Sequence, residues 1–190
     1  MEKFVTLNNG NGNLLKVELQ RPGINTAVTQ EQLDVTKHYT ICTVTQKSSL
    51  LLMLGVRNLV KGRWVPSGGK IDLGETPVDG VIREVREETG LQLKKDSIWY
   101  AGALNVVLRD GSMPSLVHLF SCGDFEGKLK EGEEGHLKWY NLSKLPYDQM
   151  WEDHRYWIRD LAERRRRFDV AICMETPTKG LKDVKVVFRD

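Results

Sequence analysis

The chain has 190 residues, 28 Lys+Arg against 26 Asp+Glu, a net charge of +2, and is 40% apolar and 28% charged. That length supports one domain with some added structure and a core that needs no disulfide or metal staple. The composition excludes collagen-like, low-complexity and wholly disordered chains, and the near balance of charge argues against a stable nucleic-acid partner or an anionic membrane surface.

Residues 1–37 read as an extension, with Met1–Leu7 and Leu14–Leu19 as short strands around NNGNGN, then RPG and a polar stretch to Lys37. Residues 38–190 read as the domain proper. Tyr39–Thr45 and Ser49–Val56 flank the polar QKSS and predict a hairpin. A Gly/Lys/Pro-rich loop at 58–74 leads to a helix over 77–89. Segments 98–108 and 115–122 predict strands, as does His136–Asn141 after the acidic KEGEEG turn. A second helix over 152–167 places Trp157, Ile158, Leu161 and Phe168 at helical spacing, and Val184–Phe188 predicts an edge strand. Strands before, between and after two helices indicate an α+β or α/β sandwich.

Cys42, Cys122 and Cys173 are widely spaced and form no C-x-x-C pair, so buried thiols in a reducing compartment are expected. The segment MEKFVTLNNGNGN has no apolar leader, and the longest apolar run, Leu50–Leu54, is far short of the ~20 residues needed to cross a bilayer. A cytoplasmic location without membrane association is the expectation.

The helix over 77–89 carries the chemistry. Thr76 suits the N-cap, Pro77 the first turn, Asp79 the positive dipole end, and Gly90 a left-handed terminator. Val78, Val81, Ile82 and Val85 form the apolar stripe. On the other face Glu84, Glu87 and Glu88 stand at i, i+3 and i+4, which predicts that they converge on one patch. A solvated face with an Arg83–Glu87 pair accounts for them less well. Glu84 and Glu88 are like charges at i,i+4, costing ~0.2–0.5 kcal/mol, which a cation removes. Clustered carboxylates suit Mg²⁺, and Gly68 and Gly69 just upstream let backbone approach a ligand.

Gly69–Leu91 resembles the Nudix box, G-x5-E-x7-R-E-U-x-E-E-x-G-U with U a bulky aliphatic. The match covers every defined position: Gly69, Glu75, Arg83, Glu84, Val85, Glu87, Glu88, Gly90 and Leu91. The resemblance implies the Nudix fold, an α+β (α/β/α) sandwich with a mixed curved sheet between helices. It also implies Mg²⁺- or Mn²⁺-dependent hydrolysis of nucleoside diphosphates linked to another moiety. By resemblance, Glu84, Glu87 and Glu88 are catalytic metal ligands aided by the Gly69 carbonyl, and Glu75 pairs with Arg83 to hold the loop. A further glutamate is implied from the loop opposite, where KEGEEGHLKWY offers Glu131, Glu133 and Glu134, and Glu134 aligns best.

Residues 38–168 resemble the branch containing 8-oxo-dGTP diphosphatases of the MutT and animal types. GRW at 62–64 and LPYDQMWEDHRYWIRDLAERRRRF at 145–168 carry that likeness. It implies Trp151 as the platform on which a base stacks and Asp153 as the reader of its edge. Three positions depart from the pattern: His154 replaces a second acid, Val65 an Asn, and Leu59 a pocket Phe. All three fall on base recognition, which leaves the preferred base open. Arg57, Arg63 and Lys70 flank the box and suit phosphates. Arg164–Arg167 reads as a solvated helix terminus, or as an RNA contact.

The leading expectation is a metal-dependent pyrophosphohydrolase that cleaves a (deoxy)nucleoside triphosphate, such as 8-oxo-dGTP, to monophosphate and pyrophosphate. The alternatives are hydrolysis of a nucleotide sugar, a dinucleoside polyphosphate or an RNA 5′ end. A non-catalytic binding module is a third, opposed by the intact set of box glutamates.

Overall fold

The computed structural model describes residues 2–56, 60–130, 135–176 and 179–189. Its helices are α1 (Gln30–Val35), α2 (Pro77–Thr89) and α3 (His154–Glu163). Its strands are β1 (Phe4–Asn8), β2 (Leu14–Glu18), β3 (Lys37–Gln46), β4 (Ser49–Gly55), β5 (Trp64–Val65), β6 (Gln92–Leu93), β7 (Trp99–Leu108), β8 (Ser115–Cys122), β9 (Phe125–Glu126), β10 (Gly135–Asn141), β11 (Phe168–Thr176) and β12 (Lys179–Phe188). The central sheet runs β10-β4-β3-β8-β7-β11-β12, with β5 on β4. It is mixed, because β3 pairs with β8 and β7 with β11 in parallel while its other pairs are antiparallel.

Alternating side chains put a different core on each side of this sheet. Leu50, Leu52, Leu104, Leu119 and Ile172 pack with Trp157, Ile158 and Leu161 of α3. Cys42, Val44, Leu51 and Phe120 pack with Val78, Val81 and Val85 of α2. The result is an α/β/α sandwich. The β1–β2 hairpin adds a smaller cluster, in which Val5, Leu7, Val17 and Leu19 cover Val107, Ala171 and Cys173. All three cysteines are free and buried. Among the described residues no helix is long and apolar enough to cross a membrane.

Buried Asp169 ties the N-terminal segment to this frame. It accepts from Arg21 Nε at 2.6 Å, Arg189 Nε at 2.8 Å and the Ala103 amide at 3.1 Å. Two guanidiniums, one from each end of the chain, thus compensate a carboxylate that has no exposed surface.

Several elements differ from their sequence-based prediction. The β3–β4 hairpin pairs only at Thr45↔Leu50 and Gln46↔Ser49. Beyond that tip β4 turns to β10, and β3 pairs with β8 from Lys37 to Val44. The polar stretch before Lys37 contains α1, which buries no residue and so leaves no apolar period. Its trace in the sequence is the capping box of Thr29 and Gln32. The second helix stops at Glu163, where Arg164 takes a left-handed conformation with φ 49°. Phe168 therefore opens β11 instead of continuing the helix stripe, and β11 itself joins β7 in the middle of the sheet.

The arginine run also departs from a solvated helix end. Arg164 Nε donates to Ser121 Oγ at 3.3 Å, and Arg165 pairs with Asp160 and Glu163. The Arg166 guanidinium lies 3.2 Å over the Phe188 ring.

Candidate active site

The Thr76 side chain caps α2 by accepting from the Asp79 amide at 3.1 Å, Pro77 fills the first turn, and Gly90 ends it with φ 78°. Val78, Val81 and Val85 are fully buried, whereas Ile82 is half-buried. The opposite face meets the loop that follows β5. That loop runs along β3, with the Thr40 amide donating to the Gly69 carbonyl and the Cys42 amide to the Ser67 carbonyl, each at 2.8 Å. A Cβ on Gly68 would lie 2.1 Å from the Thr40 carbonyl oxygen, and one on Gly69 would lie 2.4 Å from the Glu84 carboxyl carbon. Only glycines allow the loop to fit between β3 and α2.

Arg83 is the hub of the helix face. It grips Glu75 through two parallel bonds of 2.9 Å, donates to Glu84 Oε1 at 2.8 Å, and reaches Glu87 Oε2 at 3.3 Å. It also donates to the Lys70 carbonyl at 3.0 Å, so one guanidinium joins helix and loop. Burial opposes the charge on Glu75, yet the Arg83 bonds hold its carboxyl below the usual carboxylate range. The hydrogen bonds to Glu75 in turn hold Arg83 above its ordinary value. The expected Glu75–Arg83 pair is therefore present.

The three box glutamates Glu84, Glu87 and Glu88 have different partners on this face. Glu84 and Glu87 share Arg83, whereas Glu88 is buried and turns inward, accepting from Ser67 Oγ at 2.5 Å and the Gly68 amide at 3.0 Å. Among the described residues no three such side chains gather closely enough to hold an ion. The Arg83 guanidinium gives Glu84 and Glu87 a shared countercharge.

A cavity of about 500 Å³ opens beside this loop. Gly68, Gly69, Lys70 and Glu88 line it together with Val65, Trp151, Asp153 and His154. Tyr39, Ile41, Leu104, Val106, Ile172 and Met174 supply apolar walls from β3, β7 and β11. Sequence reasoning did not assign these wall residues. Their signal was a two-residue period on three strands, without any indication that the strands share one face. Ser67 was missed as well, with only its place beside the glycines to mark it.

Trp151 is half-buried, with the Arg63 guanidinium 4.3 Å from its ring centroid. Arg63 also donates to the Met150 carbonyl at 3.2 Å. Its guanidinium thus touches both the indole and the adjacent backbone. Asp153 is buried and accepts from Trp157 Nε1 at 2.9 Å, so it serves the core as well as the cavity. Trp157 itself is core, as its helical spacing indicates. His154 is buried edge-on against Trp157, with ring centroids 4.9 Å apart. Arg57, Leu59, Glu131, Glu133 and Glu134 lie outside the described residues. Next to the last three, the Lys130 amide donates to the Thr89 carbonyl at the end of α2, and Gly135 pairs with Gly55.

Comparison with known proteins agrees with this architecture. The family model described as NUDIX domain matches residues 36–161. A Mus musculus protein named oxidized purine nucleoside triphosphate hydrolase is 31% identical over 134 residues, covering 70% of this chain and 85% of that one. A Danio rerio protein of the same name is 30% identical over 130 residues, covering 68% and 82%. The crystal structure of a MutT protein from Bacillus halodurans shares the fold, with a TM-score of 0.66 at 24% identity over 79% of this chain and 97% of that one.

Proposed function

Because this chain belongs to the NUDIX domain family and is a Nudix hydrolase, we propose that it cleaves a purine (deoxy)nucleoside triphosphate to monophosphate and pyrophosphate. Oxidised purines such as 8-oxo-dGTP are the foremost candidates. One observation carries this reading. A single cavity joins the Gly68–Gly69–Lys70 loop and Glu88 to Trp151 and Asp153. It offers a place for phosphates beside the box and a place for a flat base beside an indole and a carboxylate. The names of the mouse and zebrafish relatives support the same substrate class.

Nudix hydrolases generally use divalent metal ions. The residues here suit one, since Glu84, Glu87, Glu88 and the Gly69 carbonyl are all hard oxygen donors. The Glu84 carboxylate also fills the space that a side chain on Gly69 would take. These four would hold Mg²⁺ or Mn²⁺, with Glu134 as a further ligand. When bound, such an ion neutralises phosphoryl charge and makes an attacking water more acidic.

The remaining roles belong to the chain itself. Arg83 orients Glu84 and Glu87 and fastens the loop to the helix through the Lys70 carbonyl. Ser67 and the Gly68 amide fix the Glu88 carboxylate in one orientation. Lys70, exposed on the cavity wall, meets the phosphates. Arg63 braces the Trp151 indole, on which the base stacks. Three free, buried cysteines suit a reducing, cytoplasmic location.

A second reading, a Nudix hydrolase of another nucleoside diphosphate derivative, is favoured by Val65 and His154, which alter the base end of the cavity. A panel assay separates the two, with both products identified chromatographically in the presence of Mg²⁺. Release of pyrophosphate from 8-oxo-dGTP at a far higher kcat/KM than from nucleotide sugars or dinucleoside polyphosphates supports the first reading. The reverse order supports the second.

A further inference from the structure

The segment between β2 and α1 belongs to no helix or strand, yet it is pinned at defined points. At one end the Gln20 amide donates to Asn105 Oδ1 at 2.8 Å, and Arg21 Nε donates to Asp169 at 2.6 Å. At the other end Thr29 caps α1, which leads into β3. Between these anchors the chain forms a strap over the loop that opens the box. The Val28 amide donates to the Glu75 carbonyl, and the Val28 carbonyl accepts from the Gly74 amide, each at 3.0 Å. The Ile24 carbonyl accepts from the Val78 amide at 3.3 Å. Val78 lies in the first turn of α2, where backbone amides have no acceptor within the helix. Val28 is buried, and Ile24 packs against the cluster that contains Val78, Val81 and Val85.

The box loop from Ser67 to Thr76 lies outside every helix and strand, so its shape is set by what it touches. Strand β3 holds the first half, through the Thr40 and Cys42 amides and through the His38 carbonyl, which accepts from Ile71 at 3.0 Å. The strap holds the second half, at Gly74 and Glu75 themselves. Glu75 then carries the two parallel bonds to Arg83, and Arg83 reaches Glu84 and Glu87. A chain of direct contacts therefore runs from Val28 through Glu75 and Arg83 to two box carboxylates. It begins ahead of residues 36–161, which the family model matches.

Resting on the reading of Glu84 and Glu87 as metal-holding residues, we propose that Val28 is a positioning residue for the box. Its two backbone bonds fix the turn that presents Glu75 to Arg83. The paired bonds between carboxylate and guanidinium transmit orientation as well as charge, so a shift of Glu75 turns the Arg83 fork. Both carboxylates on that fork turn with it. The strap thereby sets the geometry of the box from outside it.

The test compares Val28→Pro, which removes the donor to Glu75, with Val28→Ala, which keeps it. Hydrogen exchange followed by mass spectrometry reports whether residues 70–82 are released. Mn²⁺ titration by electron paramagnetic resonance reports on the carboxylates. Pyrophosphate release from a purine triphosphate separates kcat from KM. Val28→Pro is expected to exchange faster over 70–82 while α3 keeps its protection. It should bind Mn²⁺ about tenfold more weakly and lose about tenfold in kcat, with KM within about twofold. Val28→Ala should recover most of both losses. If Val28→Pro does not fold by circular dichroism, the α-hydroxy analogue of valine at position 28 turns that amide into an ester and removes the same N–H. Unchanged exchange over 70–82 in the Pro variant overturns the proposal. So does faster exchange with wild-type Mn²⁺ affinity and kcat, or an equal loss in the Ala and Pro variants. Mn²⁺ binding that depends on Val28, without pyrophosphate release by wild type from any triphosphate, supports the strap and defeats the proposed reaction alone. A wild type that neither binds Mn²⁺ nor turns over overturns both.

Discussion

Ser67 Oγ donates to Glu88 Oε2 at 2.5 Å, and the Gly68 amide donates to the same oxygen at 3.0 Å. The most buried carboxylate of the box is therefore held by the loop in front of it. This short contact joins a loop that is hydrogen-bonded along β3 to helix α2, which packs on Cys42 and Val44 of the same strand. Ser67→Ala leaves Glu88 with one of these two donors. Loss of a hydrogen bond to a charged group costs about 1.5–3 kcal/mol, which is about tenfold to a hundredfold in rate if it falls on the transition state. We expect kcat to drop within that range and KM for the triphosphate to change less. Weaker Mn²⁺ binding, read by electron paramagnetic resonance, should accompany the drop. Wild-type kcat in the variant would show that Ser67 does not position Glu88.

Glu87 is exposed, and its 3.3 Å contact with Arg83 is longer than those of Glu75 and Glu84. Such contacts contribute about 0–1 kcal/mol at most to stability. Glu87→Gln should therefore melt within a few degrees of wild type and lose nearly all turnover. Unchanged pyrophosphate release would remove Glu87 from the catalytic set.

Glu75 gives a pH signature. Its folded-state pKa is depressed below the usual carboxylate value of 4.5, so its contribution to stability is present above that value. The contribution is lost as pH falls through the folded pKa. Between about pH 5 and 3 the wild-type melting temperature should fall more steeply than that of Glu75→Gln, which has no charge to lose. Parallel curves would mean that the Arg83 grip on Glu75 adds no stability.

Trp151→Ala removes the indole that Arg63 covers. Base–aromatic stacking is worth about 1–3 kcal/mol per base, so KM for a purine triphosphate should rise about fivefold to a hundredfold. Mn²⁺ affinity should stay within about twofold. Wild-type KM in the variant would place the base elsewhere.

Asp169 is fully buried between Arg21 and Arg189. Asp169→Ala leaves two guanidiniums without their partner and the Ala103 amide without its acceptor. Breaking a buried pair of this kind costs about 3–5 kcal/mol, and urea denaturation should report a loss of that order. Increased proteolysis near Arg21 under native conditions should accompany it, because Asp169 anchors the N-terminal segment.

The box helix was legible because its determinants are local. Thr76, Pro77 and Gly90 cap and end α2 through contacts within a turn, and the spacing of Val78, Val81 and Val85 follows from 3.6 residues per turn. The Arg83–Glu75 pair was accessible by resemblance for the same reason, since both residues sit in one short segment. Helix α1 was not, because it buries nothing and only its capping box speaks for it. The end of α3 was also hidden, since a left-handed Arg164 breaks a stripe whose helical spacing Phe168 continues in the sequence.

By itself, then, the sequence determined the box helix, its caps, its carboxylates and the α+β character. The tertiary structure decided which way each carboxylate turns. Arg83 takes Glu84 and Glu87, and Ser67 takes Glu88. It also decided that β11 lies beside β7, which brings Ile172 and Met174 into one wall with Leu104 and Val106. The physical reason is range. Helix periodicity and capping act over three or four residues and leave a mark in the sequence. Strand order and the meeting of a loop with a distant helix depend on how the two faces of the whole sheet are covered.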